Sequence, residues 1–199
     1  MKFSDWRRST GRLITTPLNT LLVKSRLTPN ALTWSALVVS LIAAVTVAFN
    51  HPVLAGCLVL VAGLFDILDG ALARLTNQST KFGAVLDSTF DRISDAAILL
   101  GILWSFRENL DTIIILAVFL ALIAAFLTSY VRARAEGAGI ACPVGLFTRT
   151  ERVIILALGL LLSPLNEYII PSALLILVVL GFVTVAQRLI YVWRQTKSQ

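Results

Sequence analysis

The chain has 199 residues, of which 57% are hydrophobic and only 14% charged, with a mean hydropathy of +0.86. Soluble domains usually carry roughly 45–50% apolar and about 25% charged residues, so this composition excludes a soluble globule, a disordered chain and a secreted disulfide scaffold. Seventeen Lys+Arg against eleven Asp+Glu leave a net charge of +6, which in an integral membrane protein points to anionic headgroups and phosphorylated substrates, not nucleic acid. The two cysteines, Cys57 and Cys142, support neither a disulfide framework nor a thiolate metal site.

Residues 1–30 form a first segment. Lys2, Arg7, Arg8 and Arg12 precede a thin apolar patch broken by Thr15, Thr16 and Pro17, which is unlike a cleaved signal peptide and reads as an interfacial amphipathic helix. Residues 31–199 form the membrane domain. A spanning helix needs roughly 20 mostly apolar residues, and six stretches qualify, near 31–50, 52–73, 84–106, 110–131, 152–171 and 172–193. The fifth is interrupted by Pro164, Asn166 and Glu167 and is read as a short span. The expected fold is therefore an all-α integral membrane protein of six transmembrane helices.

Basic residues in short loops mark the cytoplasmic side. Fifteen of the seventeen fall in the N-terminal segment, the second-to-third connection, the fourth-to-fifth connection and the tail. Both termini are expected to be cytoplasmic, in agreement with an even number of spans in a multi-pass cell-membrane protein.

Five of the eleven acids, Asp66, Asp69, Asp87, Asp91 and Asp95, interrupt the second and third apolar runs. Each would cost about 2.5–3.5 kcal/mol facing lipid at a helix centre, so they must face a polar interior or lie near the cytoplasmic mouth. Asp66 and Asp69 are spaced i, i+3 and Asp87 and Asp91 i, i+4, so each pair shares one helix face. Two antiparallel helices with a short connection bring the pairs together. Carboxylates that close repel by roughly 4 kcal/mol per 4 Å pair at an effective dielectric near 20, and the nearby Arg74 and Arg92 cannot neutralise five acids. Divalent cations can, and a ligand set of oxygens without His or Cys suits magnesium, manganese or calcium. For Asp95 and Arg92 a local supporting role weighs as much as metal ligation.

The acids are embedded in D-I-L-D-G-A-L-A-R from Asp66, then eight residues, then G-A-V-L-D-S-T-F-D ending at Asp91. This resembles the CDP-alcohol phosphotransferase family, whose signature D-x-x-D-G-x-x-A-R, eight residues, G-x-x-x-D-x-x-x-D is matched at every fixed position. The resemblance implies two divalent cations, magnesium first and manganese second, held by Asp66, Asp69, Asp87 and Asp91, with Asp66 and Asp87 shared between them. It implies that Asp91 is the general base that deprotonates an acceptor alcohol. It also places CDP-diacylglycerol against Gly70, Ala73 and Arg74, beside Asp69, with Thr80 near the diphosphate. Pro29 and Asn30, in L-T-P-N-A, match a further lipid-nucleotide contact, although helix initiation explains the same residues equally well. A homodimer is implied by the family.

The signature does not specify the acceptor. Arg132, Arg152 and Arg188 each end an apolar run, where snorkelling is the simpler explanation. Yet S-Y-V-R-A-R-A-E from Ser129 and T-R-T-E-R-V from Thr148 are similar to the family's actinobacterial phosphatidylinositol phosphate synthases, in which basic residues there would hold inositol phosphate. Arg132 departs from that pattern, which has lysine. The G-K-x-K-T stretch of the glycerol phosphate branch is missing. Inositol phosphate is therefore the expected acceptor, ahead of glycerol 3-phosphate. A cation transporter is the rival from a different class, but both acid pairs lie near the span ends with Arg74 and two glycines beside them.

Overall fold

Thr28 opens the first helix. Its hydroxyl accepts the Ala31 N–H at 3.3 Å, and Pro29, which has no N–H to leave unsatisfied, takes the first helical position. The computed structural model describes residues 28–109 and 111–197, so the expected interfacial helix lies outside the described residues. Six α-helices follow: α1 (Pro29–Ala48), α2 (Pro52–Leu75), α3 (Lys81–Ser105), α4 (Thr112–Gly137), α5 (Arg149–Leu162) and α6 (Ile169–Lys197), with 3₁₀ turns at Arg107–Asn109 and Ser163–Leu165. There is no strand among the described residues.

Four helices, α1, α2, α4 and α6, are long and apolar enough to cross a bilayer on length and composition alone. The expected count of six is not reached on that criterion. Helix α3 has 25 residues but carries Lys81, Asp87, Asp91, Arg92 and Asp95. Helix α5 has 14 residues, about 21 Å at 1.5 Å per residue, against a hydrocarbon core of about 30 Å. The fifth stretch was expected over 152–171. It instead stops at Leu162, turns through Ser163–Leu165 and yields Ile169, Ile170 and Pro171 to α6. Pro164 cannot donate to the preceding helix, whereas Pro171 sits in the first turn of α6, where a missing N–H costs nothing.

Each helix packs on two others, and the contacts close a ring in the order α1, α2, α5, α6, α4, α3 and back to α1. Small residues set the spacing. A side chain at Gly101 would run into the Ala44 carbonyl of α1, and one at Gly181 into the Ala124 methyl of α4. The apolar core draws on every helix: Ala43 and Val47, Ala55 and Val59, Ile98 and Ile102, Val118 and Ala121, Leu156 and Leu160, Leu174 and Leu177. These residues come from the late part of α1, α3 and α5 and the early part of α2, α4 and α6. The core thus fills one half of the bundle, and the acids occupy the other.

Candidate active site

The late turns of α2 and the early turns of α3 supply the acids, and α1 packs against both helices. Asp66, Asp69 and Asp87 each offer a carboxylate oxygen within 4.8 Å of the others. Asp69 is 5% exposed, and its Oδ2 accepts the Thr33 hydroxyl from α1 at 2.7 Å. A hydrogen bond to a charged group contributes about 1.5–3 kcal/mol, enough to aim this carboxylate at its two partners. Three converging oxygens with no nitrogen or sulfur ligand fit a hard divalent cation. Asp91, one turn beyond Asp87, stands outside this trio, and its Oδ1 meets Arg149 Nη2 at 3.1 Å. The same guanidinium pairs through Nη1 with Asp66.

Two cavities meet at Ala84 and Asp87. The first, of about 180 Å³, is lined by Pro29, Asn30, Asp69, Gly70, Ala73, Arg74 and Thr80, together with Thr33, Gln78, Ser79 and Gly83. All seven residues expected to contact CDP-diacylglycerol therefore face one space. Their local structure explains the glycines. A Cβ on Gly70 would lie 3.3 Å from Arg74 Nη1, so the missing side chain lets the guanidinium fold back over α2. Thr80 caps α3 by accepting the Gly83 N–H at 2.9 Å, and a Cβ on Gly83 would approach that hydroxyl to 2.9 Å. Pro29 and Asn30 both open α1 and line the cavity, while the cap itself is Thr28.

The second cavity, of about 510 Å³, is lined by Asp91, Arg132, Arg149, Arg152 and Arg188, with Ser88, Arg92, Thr128, Ser129 and Thr148 among the others. The three expected acceptor arginines do converge, but they are held differently. Arg188 is 4% exposed; its Nε donates to the Val144 carbonyl at 2.9 Å and its Nη1 to the Thr128 carbonyl. Arg152 is also buried and gives Nε and Nη2 to Asp95 Oδ2 at 3.2 and 2.8 Å. Arg132 is half exposed and pairs with Glu136 on its own helix at 2.9 Å. Asp95 is thus a support for Arg152, separate from the carboxylate trio. Arg74 and Arg92, the cations nearest the acids in sequence, make no ion pair with the five acids among the described residues.

Residues 138–148 carry this geometry into α5. Leu146 N–H donates to Gln187 Oε1 at 3.2 Å and Phe147 N–H to Thr184 Oγ1 at 3.1 Å, fastening the segment to α6. Thr148 and Glu151 then form a capping box that starts α5. Arg149 and Arg152 emerge on one face, i and i+3. Sequence reasoning missed Arg149 and Thr33. Arg149 is one of the basic residues of the fourth-to-fifth connection, and its i, i+3 spacing to Arg152 is the signal that puts both on the site-facing side. Thr33 lies i+3 from Asn30, a hydroxyl on the same face of α1.

Comparison with known proteins agrees with this arrangement. The family model described as CDP-alcohol phosphatidyltransferase matches residues 26–188. The chain is 39% identical to the archaetidylinositol phosphate synthase of Methanothermobacter thermautotrophicus over 83% of each chain. It is 37% identical to the phosphatidylinositol phosphate synthase of Mycobacteroides abscessus, covering 92% of this chain and 84% of that one. The crystal structure of Mycobacterium tuberculosis phosphatidylinositol phosphate synthase with CDP-DAG bound superimposes with a TM-score of 0.80 at 35% identity, covering 90% of this chain and 94% of that one. The same enzyme has been solved in complex with manganese and citrate, again with a TM-score of 0.80 at 35% identity, over 90% of this chain and 88% of that one. With its signature complete and its fold shared, the chain belongs to the CDP-alcohol phosphatidyltransferase family, an all-helical family of membrane enzymes.

Proposed function

We propose that the chain transfers the phosphatidyl group of CDP-diacylglycerol to inositol phosphate, giving phosphatidylinositol phosphate and CMP. The observation that carries this reading is the junction of the two cavities at Asp87. One is lined by the nucleotide residues of the signature, and the other by Asp91 and five arginines. The relatives' names support the acceptor, since the archaeal and mycobacterial enzymes differ in the lipid named and share inositol phosphate.

In this reading Pro29, Asn30, Gly70, Ala73, Arg74 and Thr80 seat the cytidine diphosphate end of the lipid, with Asp69 at its edge. Asp66, Asp69, Asp87 and Asp91 hold two divalent cations, magnesium by preference and manganese as a substitute. When bound, these ions polarise the diphosphate and offset charge on the departing nucleotide. Arg132, Arg152 and Arg188 hold the acceptor's phosphate, which carries about −1.5 to −2 charges at neutral pH, and so turn its hydroxyl towards the junction. Asp91 takes the hydroxyl proton. The oxygen attacks the β-phosphorus, the bond to the α-phosphate oxygen breaks, and CMP leaves with the electron pair. The site and both termini face the cytoplasm, and the enzyme works as a homodimer.

Purified enzyme in detergent, given CDP-diacylglycerol and in turn inositol phosphate, free inositol, glycerol 3-phosphate and serine, should release CMP fastest with inositol phosphate. A preference for free inositol would refute the acceptor assignment, and cation flux in liposomes without CMP release would refute the enzyme.

A further inference from the structure

Arg149 stands where the carboxylates would otherwise repel one another. One terminal nitrogen pairs with Asp66 on α2 and the other with Asp91 on α3, so a side chain of α5 ties together both acid-bearing helices. Its Nε is buried and has no hydrogen-bond partner. A guanidinium has five N–H donors in a rigid fork, and a buried donor left unmade costs about 1–3 kcal/mol. This pose therefore satisfies the acids while leaving the arginine incompletely satisfied. Arg149 also lines the second cavity together with Arg132, Arg152 and Arg188. An oxyanion there could take Nε and a terminal nitrogen side by side, the bidentate geometry in which arginine binds phosphate most strongly.

We propose that Arg149 is an exchangeable internal cation. It pairs with Asp66 and Asp91 while no divalent ion is present, yields those carboxylates when the ion enters, and then turns its fork to the acceptor's phosphate. The inference rests on the reading of the acids as a divalent-ion site. It makes ion entry and acceptor binding favour each other, because each is served by the same displacement, and such coupling is reciprocal. It also distinguishes Arg149 from Arg152, whose partner Asp95 lies outside the carboxylate trio and keeps it in place.

The test is a Mn²⁺ titration of the full-length protein in detergent, followed by the electron paramagnetic resonance signal of free Mn²⁺, with neither lipid nor inositol phosphate present. Removing a competing cation should strengthen ion binding, so Arg149→Gln should bind Mn²⁺ roughly tenfold more tightly than wild type, the opposite of what loss of a scaffold would do. Arg149→Lys, whose compact ammonium lacks the planar fork that engages both carboxylates, should shift the same way by less and guards against misfolding of the first variant. Inorganic phosphate should tighten Mn²⁺ binding in wild type and do so less in Arg149→Gln. Unchanged or weaker Mn²⁺ binding in both variants overturns the proposal, as does equal coupling to phosphate in wild type and Arg149→Gln. Because no substrate is present, these outcomes are independent of which alcohol the enzyme accepts.

Discussion

Arg152 of α5 and Asp95 of α3 form a strut across the interior of the ring, two guanidinium N–H groups converging on a single carboxylate oxygen. The helices that carry them are not neighbours in the ring, so the pair spans the polar half of the bundle. It also fixes one edge of the guanidinium and leaves the other towards the second cavity.

Removing one partner of a buried pair leaves an uncompensated charge, a loss of roughly 3 kcal/mol where water has little access. Asp95→Asn should therefore lower the thermal unfolding midpoint in detergent. As a positioning residue it should also raise the KM for the acceptor more than it changes kcat. The double variant Asp95→Asn with Arg152→Gln should recover part of the stability but none of the acceptor affinity. Full acceptor affinity in Asp95→Asn would show that Arg152 needs no such strut.

The carboxylate trio should act as a unit. Asp66→Asn and Asp87→Asn are each expected to abolish CMP release, and excess EDTA should abolish it in wild type until Mg²⁺ or Mn²⁺ is returned. Thr33→Val should weaken Mn²⁺ binding without touching any acid, because it removes the hydrogen bond that orients Asp69. Undiminished activity in EDTA would remove the divalent ions from the mechanism.

Asp91 can be separated from the trio by kinetics. Asp91→Asn should keep measurable CDP-diacylglycerol binding while turnover falls by at least the roughly 10²–10⁴-fold associated with a general base. Wild-type turnover in this variant would exclude the role.

The arginines of the second cavity should respond unequally. Arg132 is half exposed and bonded within its own helix, so Arg132→Gln should raise the acceptor's KM with no change in unfolding temperature. Arg188 is held by two carbonyls, so Arg188→Gln should lower both acceptor affinity and stability. Gly145→Ala should resemble Arg188→Gln. Gly145 has φ +134, a conformation that side chains rarely adopt, and a Cβ there would lie 3.0 Å from Arg188 Nε and Nη2. Normal acceptor kinetics in Gly145→Ala would show that Arg188 tolerates displacement.

The four long apolar helices and the positions of the signature aspartates were legible because both are local. Apolar length marks a helix in lipid, and i, i+3 or i+4 spacing marks a face. What was not legible depends on which helices become neighbours. Asp95 could not be assigned until α5 delivered Arg152 beside it, and Arg149 looked like any other charge at a helix end. The end of α5 was misplaced because an apolar run continues past Leu162, while Pro164 and Asn166 divide it by backbone geometry that hydropathy does not register.

The shortness of α5 has a consequence for how two unlike reactants come together. One is confined to the bilayer and the other is dissolved in water. Helix α5 begins at the level of the aspartates, since its first residue already pairs with Asp66 and Asp91, and the chain leading to it is irregular. Irregular backbone at membrane depth persists only where protein covers it or water reaches it. The second cavity is lined by Thr148 and Arg149 at this junction, and water entering there would let a soluble acceptor meet the lipid without partitioning into hydrocarbon.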